Sequence, residues 1–144
     1  MHVAEQKEER NCHIKSHLHV AFPFIMKLVK LKENRDFRRA YYKGKSFVSP
    51  YVVVYVNKNR TNDVRLGITA GKKIGKAVSR NRAKRLITAA FRSLLPRIDS
   101  GYDFVIVART KILNVKSTEV ASSLLKIFET SRVLKSICDE ENTD

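Results

Sequence analysis

At 144 residues, 43% of them apolar, the chain has material for one packed core and is short for two. Lys and Arg outnumber Asp and Glu by 29 to 14, and a net charge of +15 in a moderately apolar protein points to a polyanionic partner, nucleic acid first. No apolar run approaches the roughly 20 residues of a membrane-spanning helix, AFPFIM being short and broken by Pro23. Cys12 and Cys138, near opposite ends, form no disulfide framework, which fits the reducing cytoplasm where we place the protein.

Residues 1–25 are polar and aperiodic, and are expected to form a disordered extension ahead of a single folded domain over residues 26–136 and a frayed acidic tail over 137–144. Cys12, His13, His17 and His19 follow no structural zinc spacing, so no metal site is expected. Glu5, Glu8 and Glu9 stand where a signal peptide carries positive charge. From Asn34 the pattern is helical: Asn34 as N-cap, Asp36 in the first turn, Phe37, Ala40 and Tyr41 on one face, Gly44 at the close. On the residues alone, Phe37 and Tyr41 read as core.

Phe47 and Val48 lead through a bend at Pro50 into a strand, Tyr51 to Val56. Alternation sets Val52, Val54 and Val56 toward a core and Tyr55 on the other face, either as an ordinary half-exposed tyrosine or as a platform for a base. After a turn over residues 57–63, Val64 to Ala70 alternates as a second strand, expected to return antiparallel to the first. Arg65, Gly67 and Thr69 would then join Tyr55 on a shallow groove in which a chain can lie flat.

The stretch GKKIGKAVSRNRAKRLITAAFR, residues 71–92, carries eight Lys or Arg, and residues 64–98 contain no acid. Ala83, Leu86, Ile87, Ala90, Phe91, Leu94 and Leu95 recur at helical spacing, so the charge sits on a helix with a buried face. Arg80 and Lys84 fall at one margin of that face, Arg82 at the other, and Asn81, Arg85 and Arg92 opposite, an arc wide enough for two nucleic-acid surfaces or one concave RNA. A solubility helix would interleave Glu with Lys, and here there is none. Two glycines, Lys72, Lys73, Lys76 and a helix start near Ser79 make a setting for phosphate, without the Gly-Lys-Ser/Thr ending of a nucleotide-hydrolysing loop.

Pro96 and Gly101 precede Tyr102 to Ala108, a strand apolar enough to be buried on both faces. A last helix runs from an N-cap at Ser117 to about Lys135, with Val120, Leu124, Ile127, Phe128 and Val133 or Leu134 inward. The order α-β-β-β-α-β-α predicts an α+β two-layer sandwich, a small mixed sheet with helices on one face. The acids avoid the basic region and His19 is the last histidine, so neither two-metal cleavage nor histidine acid–base catalysis is indicated in the domain. The chain reads as a binder.

The run from Arg65 to Arg92 resembles the signature of the bacterial ribonuclease P protein subunit, Lys-Lys-x-Gly-x-Ala-Val-x-Arg-Asn-Arg-x-Lys-Arg, here Lys72, Lys73, Gly75, Ala77, Val78, Arg80, Asn81, Arg82, Lys84 and Arg85. The resemblance extends over about residues 30–135. It implies a left-handed crossover between the strands flanking the basic helix, where ordinary handedness would be right. It also implies the topology of the second domain of a small-subunit ribosomal protein, and a natural start at Met26.

In function it implies the protein subunit of an endoribonuclease whose RNA subunit removes the 5′ leader of precursor tRNA, with magnesium at the RNA active site. Lys72, Lys76, Arg80, Asn81, Arg82, Lys84 and Arg85 would contact ribonuclease P RNA. Phe37, Tyr41, Tyr55, Arg65 and Lys73 would line a cleft for the leader. The implied partners are that RNA and precursor tRNA, with neither a membrane nor a protein partner required. The chain departs from the pattern at Thr88, where many members carry a basic residue, and at Tyr41, where Phe is also common. A ribosomal or ribosome-assembly protein of similar fold is the alternative, and a self-sufficient nuclease lacks the acids it would need.

Overall fold

The structure, a computed structural model, describes residues 27–135. Cys12, the histidines, Met26 and Cys138, with the expected extension and tail, lie outside the described residues. The elements are β1 (Leu28–Lys30), α1 (Asn34–Lys43), β2 (Lys45–Val48), β3 (Val52–Lys58), β4 (Val64–Thr69), α2 (Ala77–Leu94), β5 (Tyr102–Ala108) and α3 (Ser117–Ser131), with 3-10 turns at Lys72–Ile74, Leu95–Arg97 and Thr110–Asn114. From α1 onward the order is the expected one. β1 is an addition, three residues being too few to show a period.

The five strands form one mixed sheet in the order β1-β4-β5-β3-β2. β4 runs parallel to β1 and β5, while β3 runs antiparallel to β5 and β2. β4 is therefore not the antiparallel neighbour of β3, because β5 lies between them. The physical reason is burial: Phe104, Val105 and Ile106 are buried on alternating faces, so β5 takes the centre, and β3 and β4, each with a partly polar face, flank it. Residues 59–63 consequently bridge two strand spacings, roughly 10 Å.

Two helices cover one face. Ala83, Ile87, Ala90 and Phe91 of α2 and Val120, Leu124 and Phe128 of α3 pack on Val52, Val54, Leu66, Phe104 and Ile106. Phe91, Phe104 and Phe128 meet edge to face, with centroids 5.2–5.9 Å apart, and tie both helices to β5. The expected single helix-bearing face holds for α2 and α3 only. α1 packs on the opposite face, where Leu31, Phe37 and Ala40 meet Val105 and Tyr55. Gly67 permits this approach, since a Cβ there would stand 2.6 Å from the Phe37 ring.

Helix ends differ from expectation by a residue or more. Asn34 and Ser117 are the first helical residues, and the caps are Glu33 and Lys116, in extended backbone without side-chain caps. α2 begins at Ala77 after Lys76. α3 stops at Ser131, where Arg132 turns left-handed (φ 57°) and the Val133 N–H reaches the Phe128 carbonyl.

Candidate nucleic-acid interface

The cationic surface is built on α2 and its lead-in. Ile74 is buried and pins the Lys72–Ile74 turn, leaving Lys72 and Lys73 exposed. Gly75 then adopts φ +133°, a conformation closed to ordinary side chains, and sends the chain into the helix. The first turn of α2 has no acid and no side-chain cap, so its amides and its positive end face the same region as Lys76.

Beyond that turn, Ala83, Ile87, Ala90, Phe91 and Leu94 are buried, while Asn81, Arg82, Lys84, Arg85 and Arg92 are exposed. Among the described residues the ion pairs involve only Arg35 and Arg65, so no carboxylate there matches the cations of α2. Arg80 is half-buried, and its Nε, shut from solvent, has no acceptor.

The cations divide between two flanks, and Arg92, expected opposite the buried face beside Arg85, stands with Lys84. On one, Arg82 and Arg85 border a depression of about 400 Å³ with Val78, Leu86, Ala89 and Ser117 at the start of α3. Val78, 77% exposed, lies among them with no core to fill. On the other, Lys84 and Arg92 join Lys30 around a cavity of about 440 Å³ whose floor includes Leu28, Leu31, Phe37 and Ile68. It opens because β1 stops opposite Leu66 while β4 continues to Thr69. Thr88 lies on this flank with its hydroxyl donated to the Lys84 carbonyl (2.8 Å), so the departure from the family pattern removes a cation from the rim.

The aromatic groove lies on the face carrying α1. Tyr41 stands edge-on to Tyr55 (centroids 4.9 Å, 88°), and its hydroxyl is 3.3 Å from that of Thr69, so two strands and one helix set the ring positions. Tyr41 keeps 40% of its surface open and Tyr55 is half-buried. Phe37, half-buried against Gly67 and Val105, contributes to packing as well as to the groove wall. Lys73 sits exposed on the turn that follows Thr69.

Arg65, expected as a groove cation, has another role. Its Nε and Nη2 donate to the two oxygens of Asp103 (2.7 and 2.5 Å), and Asp36 of α1 lies 3.5 Å from Nη1. The Asp103 hydrogen bond, with smaller contributions from neighbouring carboxylates, raises the guanidinium above its ordinary value against the opposing cost of burial. A raised arginine loses its contribution to stability only as pH climbs above the ordinary arginine value, so deprotonation of Arg65 does not weaken the tie in the physiological range. Asp103, 2% exposed, also accepts from Asn59 Nδ2 (2.7 Å), and Asn59 caps the loop through Thr61 and the Asp63 carbonyl. Asp103 and Asn59 went unrecognised in the sequence; the signal was a lone acid in an otherwise apolar strand, which requires a partner.

Among the described residues no group of three His, Cys, Asp or Glu side chains is placed to hold a metal ion, and no helix is long and apolar enough to cross a membrane. A mixed-sheet α+β scaffold with a carboxylate-free cationic helix on one side and an aromatic groove on the other belongs to the class of RNA-binding proteins.

Known proteins narrow the class. The family model described as Ribonuclease P matches residues 25–132. The ribonuclease P protein component of Clostridium kluyveri is 42% identical over 113 residues, covering 76% of this chain and 100% of its own. That of Clostridium acetobutylicum is 40% identical over 119 residues, covering 81% and 98%. Among solved structures, the RNase P protein of Staphylococcus aureus matches with a TM-score of 0.67 at 33% identity, over 76% of this chain and all of that one. The RNase P protein of Thermotoga maritima matches at 0.64 and 34%, over 70% and 96%. The chain belongs to the family of bacterial ribonuclease P protein components, which act in tRNA processing.

Proposed function

We propose that α2 and its lead-in bind the RNA subunit of ribonuclease P, and that the groove between α1 and the sheet holds the 5′ leader of precursor tRNA, in the cytoplasm. The observation that carries this reading is the pairing of surfaces: cations without carboxylate partners among the described residues on one side of the sheet, stacking aromatics on the other. One chain can then touch two RNA segments at once. The reaction is hydrolysis of the phosphodiester joining leader to tRNA, with the RNA holding the magnesium ions that supply metal-assisted catalysis.

The protein's part is positioning. Lys72, Lys76, Arg80, Asn81, Arg82, Lys84 and Arg85 neutralise or hydrogen-bond the backbone of the RNA subunit, and Lys73 with Phe37, Tyr41 and Tyr55 fixes the leader. Stacking accepts any base, which suits an enzyme that must process many precursors. Arg65 supports the groove from within. The ribosomal alternative is not favoured, given the family match over most of the chain.

Tyr41→Ala tests the groove. Its ring is exposed enough to be lost without a core cavity, and the variant is expected to cost on the order of 1 to 3 kcal/mol in affinity of the reconstituted complex for leader-bearing precursor, and little for mature tRNA. Equal losses for both would remove the leader assignment. Thr88→Arg tests the rim of α2: it restores a cation beside Lys84 and should steepen the salt dependence of RNA-subunit binding by about 0.7 to 0.9 in log–log slope. An unchanged slope would place that flank away from phosphate.

A further inference from the structure

The cations of α1 are absorbed by neither site. Arg35, Arg38, Arg39, Tyr42 and Lys43 fall at i, i+3, i+4, i+7 and i+8, a single stripe, and Phe37 and Ala40 point from the opposite side of the helix into the sheet. Tyr42 is 92% exposed. A large aromatic held in water with no core beneath it gives the fold nothing, and its four cationic neighbours repel one another at helical spacing. Of the two nearby acids, Glu33 pairs with Arg35 at 3.1 Å and Asp36 faces Arg65. Arg38, Arg39 and Lys43 have no carboxylate partner among the described residues.

The stripe also joins the groove. Tyr41, the ring that faces Tyr55 and Thr69, borders the same shallow surface depression as Arg38, Arg39 and Tyr42. A chain leaving the groove past Tyr41 passes directly onto an aromatic platform flanked by phosphate-seeking side chains. α2, by contrast, lies on the other side of the sheet. The chemistry that suits an isolated exposed ring among cations is single-stranded nucleic acid, with a base on the ring and phosphates on the guanidinium and ammonium groups.

We infer that the outward face of α1 is a second leader-binding surface, carrying the nucleotides of the precursor that lie upstream of those in the groove. This rests on the leader reading of the groove. Arg38, Arg39 and Lys43 hold phosphates, Tyr42 stacks, and Tyr41 marks the passage between the two sections. The helix is about 15 Å long, so a few nucleotides occupy it. Precursors with long leaders gain affinity from this face, and those with short leaders do not.

The test uses the full chain reconstituted with a bacterial ribonuclease P RNA and a series of precursor tRNAs whose leaders lengthen stepwise from none. For the wild type, affinity is expected to rise in two stages, first as the groove fills and again, by about tenfold, as the leader reaches α1. The variant Arg38→Ala/Arg39→Ala/Tyr42→Ala should keep the first stage and lose the second. Tyr42→Phe should retain most of it, since the ring remains. A wild type without the second stage, or a triple variant that keeps it, overturns the proposal. So does a loss equal at all leader lengths and for mature tRNA, which would assign the face to the RNA subunit or the tRNA body. Absence of the first stage as well would instead overturn the leader reading of the groove.

Discussion

Replacing Arg82 and Arg85 together with alanine is expected to flatten the dependence of log K on log salt, for binding to ribonuclease P RNA, by about 1.4 to 1.8. Each phosphate contact releases counterions worth about 0.7 to 0.9 in slope, and the two side chains are outward on α2 with no carboxylate partner among the described residues. They project from the side of the helix opposite Ile87 and Phe91, so their removal opens no cavity. Alanine is also the better helix former and relieves repulsion between like charges. The variant should melt no lower than the wild type while binding more weakly, most of all at low salt. A loss of affinity with an unaltered slope would mean that the two arginines act through protein structure and not through phosphate.

The second large effect falls on stability. Asp103→Ala should destabilise the fold by about 3 to 5 kcal/mol, read from denaturant unfolding, because it strands a partly buried guanidinium and an amide that now share one carboxylate. The Arg65 side chain keeps 21% of its surface, so water can reach it after the change and the lower end of that range is expected. The loss spreads: Asn59 would release the 59–63 loop, and α1 would lose the anchor that Asp36 finds on Arg65. Adding Arg65→Met to Asp103→Ala should recover part of the loss, since an apolar pair of similar shape avoids the stranded charge. A cost below about 1 kcal/mol for the single variant would show that water, not the carboxylate, satisfies Arg65.

Parts of this molecule were legible from residue order alone. Ala83, Ile87, Ala90, Phe91 and Leu94 recur at 3.6-residue spacing, so α2 and its buried side followed directly. β5 showed itself by being apolar at successive positions, which only a central strand tolerates. What alternation does not encode is which strand lies beside which. Val64 to Thr69 fixes its own two faces equally well beside β3 or beside β5, and the choice is made by the need to bury β5 on both edges.

The side chosen by α1 was hidden for a similar reason. It depends on the space above Gly67 meeting the Phe37 ring, a match between residues thirty positions apart that neither segment displays. Asp103 was concealed by its apolar neighbours, and Arg65 looked available because its partner lay in a strand not yet known to be adjacent. Tyr41 and Tyr42, neighbours in the chain, were separated only by the fold, one turned to the groove and the other to solvent.

On the proposed function, the protein neutralises the backbone of an RNA catalyst and holds the leader. The most direct measurement is leader removal from precursor tRNA by a bacterial ribonuclease P RNA at a magnesium concentration too low for the RNA alone, with and without this protein. The protein is expected to restore cleavage at the mature 5′ end, and the Arg82→Ala/Arg85→Ala form to restore less. Cleavage by the protein without any RNA subunit, or no restoration by the wild type, would contradict the proposed function.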